Sequence, residues 1–89
     1  MSPETPIYTV YVLHSGKFDR IYIGYTSNLI ARYHSHNSLS KKGWTRHYRP
    51  WRVVYCEYYG SQKKAMTREK ALKGGQGRLF IKKMLREME

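Results

Sequence analysis

The sequence predicts an α+β domain: a three-stranded, mainly antiparallel sheet flanked by about three helices, in the order β-β-α-β-α-α. Three observations carry this. Two runs rich in β-branched and aromatic residues, 7–13 and 20–25, flank Ser15-Gly16-Lys17-Phe18-Asp19, which has the turn chemistry of a hairpin. A third such run occupies 52–59. Apolar residues elsewhere recur at helical spacing, most clearly between 78 and 88.

Each element has its own reasons. Residues 1–6 carry two prolines and read as a loose lead-in, leaving 7–89 as one domain. The first strand is apolar on both faces, which calls for cover on both sides. Tyr11 and Tyr22 fall on neighbouring strands, and the hairpin register decides whether they share a face. Thr26-Ser27-Asn28 offers N-cap side chains for a helix over 29–37, with Leu29, Ile30 and Tyr33 turned inward. Residues 38–50 read as a polar, basic loop. Gly60-Ser61 ends the third strand and caps a helix over 62–73, which Gly74-Gly75 stops. On the last helix, 78–88, Phe80, Ile81, Met84, Leu85 and Met88 form one stripe, read as core.

Charge narrows the partners. The chain of 89 residues has 17 Lys and Arg against 6 Asp and Glu, a net charge of +11. Such an excess repels itself in a compact fold and suits a polyanion, above all nucleic acid. No basic amphipathic helix with a bulky apolar face stands alone, so a membrane surface is not the expected partner. No run approaches the ~20 apolar residues of a membrane span. The single cysteine, Cys56, excludes an internal disulfide and reads as a packing residue. The first six residues lack a basic-then-apolar signal pattern, so a cytoplasmic location is the expectation.

Several residue types could carry chemistry. Glu69 sits on the predicted second helix with Ala65 and Leu72, where a carboxylate needs a cation or a donor. An ion pair with Lys73 or on the Arg68 side would serve, and so would a metal. Acidic residues are few, so a metal would be one ion on one protein carboxylate, a count that Mg²⁺ tolerates because it keeps its waters. Arg32 and His36 are four residues apart, on one helical face. Arginine clamps phosphate, and histidine orients a water or a hydroxyl. Tyr11 and Tyr22 are ordinary strand residues taken singly. A phenol titrating near ~10 becomes a base only where cations favour the phenolate. The segment 41–52 interleaves Lys41, Lys42, Arg46, His47, Arg49 and Arg52 with Trp44, a mixture that neutralises phosphates and stacks on unpaired bases. A Walker A motif, a zinc-ligand pattern and a persuasive Ser/His/Asp order are all missing.

The series Thr9-Val10-Tyr11, Tyr22-Ile23-Gly24, Arg32, His36 and Glu69 resembles the GIY-YIG nuclease domain, and most of all its small stand-alone bacterial members, over roughly 7–88. The resemblance implies an endonuclease that hydrolyses DNA phosphodiesters with Mg²⁺ or Mn²⁺ and no small-molecule cofactor. It implies that one motif tyrosine activates the attacking water, with Tyr11 favoured as base and Tyr22 as its positioning partner. By position, Arg32 then stabilises the phosphate, His36 matches a histidine found in part of the family, and Glu69 binds the metal. With no added domain, weak sequence preference is expected, on branched, nicked or single-stranded DNA in repair or processing. The first triplet lacks its leading glycine, and no asparagine follows residue 37. These departures carry the rival expectation, a nucleic-acid-binding module whose nuclease site is idle.

Overall fold

The computed structural model describes residues 7–39 and 44–88. Three strands form one antiparallel sheet: β1 (Tyr8–Ser15), β2 (Arg20–Thr26) and β3 (Arg52–Tyr59), in the order β2-β1-β3. The central strand is therefore β1, and both its faces are covered as its composition predicts. Val10 and Val12 pack with Ile23 against Ala65 and Leu72 of α2 (Gln62–Lys73) and Ile81 of α3 (Gly75–Glu87). Tyr11 and Leu13 pack on the opposite face with Trp51, and Tyr22, Leu29 and Tyr33 close around them. Each fully buried aliphatic side chain contributes about 1.5–3 kcal/mol.

Strand β3 and helix α2 have the predicted bounds. The Ser61 side chain accepts from the Lys64 backbone N–H and starts α2. Glu57 then ties α2 to β3. Its carboxylate accepts from Arg68 Nε at 2.8 Å and Arg68 Nη2 at 3.0 Å, and from the hydroxyls of Tyr55 and Tyr59. The Arg68 guanidinium is the main reason that the Glu57 carboxyl is held down at about 2.

Three expectations are corrected. The helix predicted over 29–37 is α-helical only as α1 (Leu29–His34), and the chain widens into a π turn at Ser35–Leu39. Tertiary contacts described below hold that turn, and local sequence does not encode them. Ile30 is 74 % exposed rather than inward. On α3, Ile81 is buried, but Phe80 and Met88 at the margin of the stripe are exposed; Phe80 stands edge-on to Tyr55.

The break between α2 and α3 is shorter than the glycines suggest. Gly74 alone, in an extended conformation, serves both helices as cap. Gly77 makes the sharp reversal possible: a Cβ there would lie 2.4 Å from both Cα and O of Leu72. The segment 38–50 also contains order, a 3₁₀ turn at Trp44–Tyr48.

Candidate active site

The hairpin register answers the question left open by sequence. Tyr11 pairs with Gly24, and Tyr22 pairs with Leu13, so the two tyrosines are diagonal neighbours on one face. Their ring centroids lie 6.1 Å apart at 28°. Gly24 sits directly beneath this pair. A Cβ on Gly24 would lie 2.8 Å from the Tyr11 hydroxyl and 3.0 Å from Tyr22 Cε1, so only glycine leaves both rings where they are.

The segment after β2 brings two more groups to the same face. Asn28 caps α1 by accepting from the Ala31 N–H at 3.1 Å. One turn on, Arg32 extends from an exposed position toward the pair, and Tyr11 first, then Tyr22, raise the pKa of its guanidinium. The π turn then swings His36 inward, where it is buried. Its Nε2 is hydrogen-bonded to the Tyr11 hydroxyl at 3.2 Å, and its ring centroid is 4.4 Å from that of Tyr22.

The π turn is held by residues from the following segment. Arg49 Nε donates to the His36 carbonyl at 2.6 Å, and Nη2 donates to that of Ser35 at 3.2 Å. Asn37 grips the backbone of Trp51 twice, donating to its carbonyl at 2.8 Å and accepting from its N–H. Thr45, also buried, is hydrogen-bonded through Oγ1 to His36 Nδ1 at 3.1 Å, and its carbonyl accepts from Trp51 Nε1 at 2.7 Å.

Electrostatics polarise the cluster. Burial, then the neighbouring Tyr22, pushes the Tyr11 phenol up to about 12, against the pull of Arg32. Burial lowers the pKa of His36, helped by the positive charges of Arg32 and Arg49. The resting state is therefore a neutral phenol beside a neutral imidazole. With the ring proton on Nδ1 and donated to Thr45, the phenol donates to Nε2.

Four predicted site residues thus come together: Tyr11, Tyr22, Arg32 and His36. The fifth, Glu69, does not hydrogen-bond or ion-pair with any of them. Its Oε2 faces Lys73 Nζ at 3.4 Å, one turn along α2. Lys73 in turn lines a cleft of about 160 Å³ together with Tyr22, Trp44 and Arg78. Among the described residues, no group of three or more His, Cys, Asp or Glu is placed to hold a metal. What the described residues offer a hard ion here is one carboxylate, that of Glu69. The Glu69 side chain is 18 % exposed, and no described residue hydrogen-bonds its other oxygen.

The basic segment divides. Trp44, Arg46, His47 and Arg52 are exposed, whereas Arg49 is turned inward onto the two π-turn carbonyls. Lys41 and Lys42 lie outside the described residues. Two contributors were not singled out in sequence, Thr45 and Asn37; Gly24 was named there only as the last residue of the Tyr22-Ile23-Gly24 triplet.

Comparison with known proteins identifies the family. The chain is 39 % identical over 57 residues to UPF0213 protein SH2523 of Staphylococcus haemolyticus, covering 64 % of this chain and 70 % of that protein. It is 34 % identical over 80 residues to UPF0213 protein CPE1444 of Clostridium perfringens, covering 90 % of this chain and 75 % of that protein. The family model described as the GIY-YIG catalytic domain matches residues 7–83, and the chain belongs to the GIY-YIG nuclease family.

Proposed function

We propose that the protein is a metal-dependent endonuclease that hydrolyses DNA phosphodiesters with little sequence preference, on branched, nicked or single-stranded DNA, in repair or processing. The observation that carries the reading is the Tyr11–His36 hydrogen bond, backed by Thr45 and flanked by Arg32, in a chain of net charge +11.

Tyr11 is 1 % exposed, and Arg32 engages it in the free protein. A substrate phosphate draws the Arg32 guanidinium onto itself and uncovers the phenol. Water then attacks phosphorus. Its proton passes to Tyr11 as the Tyr11 proton passes to His36 Nε2, which becomes imidazolium. The P–O ester bond breaks, and the departing sugar oxygen takes a proton from solvent. Tyr22 fixes the orientation of the Tyr11 ring, and Arg32 stabilises charge gathering on the phosphate. Glu69 would hold Mg²⁺ or Mn²⁺. When bound, that ion supplies positive charge to the phosphate and lowers the pKa of nearby water. Trp44, Arg46, His47 and Arg52, with Lys41 and Lys42, would contact the nucleic acid.

The test is cleavage of labelled oligonucleotides with and without Mg²⁺, by the wild-type protein and by Glu69→Gln. The variant loses only a half-buried i,i+4 ion pair, worth about 0.3–0.5 kcal/mol, so it folds normally. Its expected cleavage rate is at least ~100-fold lower, a scale typical of losing transition-state charge stabilisation. Equal rates would refute the enzyme reading.

One observation favours the rival, a binding module with an idle site: Glu69 is paired with Lys73 and joined to none of the other four residues. Salt-sensitive binding without cleavage in Mg²⁺ or Mn²⁺ would establish it.

A further inference from the structure

A second, larger cleft adjoins the first. Its volume is about 610 Å³, and it shares Ile21, Trp44 and Arg78 with the cleft that contains Tyr22. One wall is the start of β2, with Arg20. Another is α3, which contributes Arg78, Lys82 and Arg86. These three are spaced by four residues, so they form a row on one face of the helix, beside the buried face of Ile81. All are exposed, as is Arg20. Trp44 stands at the junction, 48 % exposed, with its ring 5.8 Å from that of Tyr22.

Some of these groups have partners. Arg20 lies 5.0 Å from the Tyr48 ring centre, and Arg78 Nε donates to the Lys73 carbonyl at 3.0 Å. Asp19 is the one carboxylate lining the cleft, and it is bonded to His14 at 3.1 Å. Lys82 and Arg86 make no hydrogen bond or ion pair among the described residues.

We infer that this cleft is the track for an unpaired DNA strand leaving the reaction centre, with Trp44 stacking on a base beside Tyr22 and the α3 row meeting successive phosphates. The inference rests on the nuclease reading for what lies at the end of the track. A row of cations along a groove with an exposed ring at one end is the chemistry of single-strand binding, because every base offers a face and the backbone sets the path. A duplex would keep its bases stacked on one another and offer the exposed side of the Trp44 ring no base.

The test is binding of a dT oligonucleotide and of a duplex of equal length, in EDTA, over a range of salt. Lys82→Gln/Arg86→Gln removes two cations that hold no part of the fold. It should flatten the log–log salt slope for the single strand by about 1.4, from about 0.7 per phosphate contact. Trp44→Leu keeps apolar bulk against Tyr22 and should weaken single-strand binding on the order of 10-fold, by loss of one base stack. Binding of dT should also quench the tryptophan emission of the wild type, and Trp44→Leu should abolish that quench. An unchanged salt slope in the double variant would overturn the inference. So would equal affinity for the duplex with an equal loss in Trp44→Leu. Because no metal is present, the nuclease reading is judged separately: a protein that never cleaves in Mg²⁺ yet shows these binding losses keeps the track and loses the enzyme.

Discussion

The Tyr11 hydroxyl lies where the side chain of residue 24 would begin: a Cβ on Gly24 would be 2.8 Å from it. Gly24→Ala therefore moves the phenol away from His36 rather than straining the backbone of β2. The expected stability loss is about 1–3 kcal/mol, the usual cost of overpacking. The expected loss of cleavage rate is on the order of 100-fold, from a displacement of a few tenths of an ångström or more. Thermal unfolding and single-turnover cleavage, measured together, separate the two effects.

Acid should inactivate the enzyme before it unfolds it. In the proposed mechanism His36 must be neutral to accept the Tyr11 proton, and burial lowers its pKa from the ordinary 6.5. The acid limb of the cleavage profile should therefore fall below that value. Stability follows the same sign. Below 6.5 the unfolded chain binds a proton that the folded chain resists, so the contribution is whole above 6.5 and lost as pH drops through the folded value. His36→Gln should remove this limb from both the residual activity and the unfolding profile.

Thr45→Val tests how His36 is held. The change keeps the shape and removes the partner of Nδ1. A buried ring nitrogen left unpaired costs about 1–3 kcal/mol. The imidazole is then free to take the other tautomer, with its proton on Nε2, which cannot accept from Tyr11. Cleavage should fall on the order of 10-fold or more, with ¹⁵N chemical shifts of His36 reporting the tautomer.

Glu57→Gln bears on the fold and leaves the chemistry alone. The carboxyl has an ordinary value of 4.5 and is held at about 2, chiefly by Arg68. Its contribution is whole above 4.5 and disappears as pH falls toward 2. The Arg68 side chain is 38 % exposed, so solvent screening reduces the expected cost at neutral pH to roughly 1 kcal/mol. Wild-type and variant unfolding curves should differ at pH 7 and converge near the lower value.

Gly77→Ala should be more damaging than Gly24→Ala. Its contacts would be backbone atoms of Leu72 and Ala71, which cannot swing aside. The expected loss is about 3 kcal/mol or more, in the range tied to severe core overpacking. Urea unfolding measures it.

How much of this was written in the sequence depends on the range of the forces involved. β3 and α2 were legible to the residue because their signals are local: an apolar, β-branched run, a serine cap and a glycine stop. The order of elements followed from the same signals. The tyrosines were visible as neighbours on adjacent strands, but not as sharing a face, since register is a property of two strands. The π turn was not legible, because its hydrogen bonds come from Arg49, Thr45 and Trp51. Arg49 counted as an outer cation in a composition-based reading and is instead a brace for the carbonyls of Ser35 and His36. The α3 row of Arg78, Lys82 and Arg86 was masked by the apolar stripe beside it.

The division of labour between β1 and α1 has a consequence for how the molecule fails. Tyr11 rides on a strand bonded along both edges, where amides are expected to exchange with solvent last. Arg32 rides on a six-residue helix that has no fully buried side chain. Transient fraying of that helix would scatter Arg32, the proposed phosphate clamp, while the phenol stays fixed in its sheet. Warming should therefore silence the protein reversibly, several degrees before its cooperative melting.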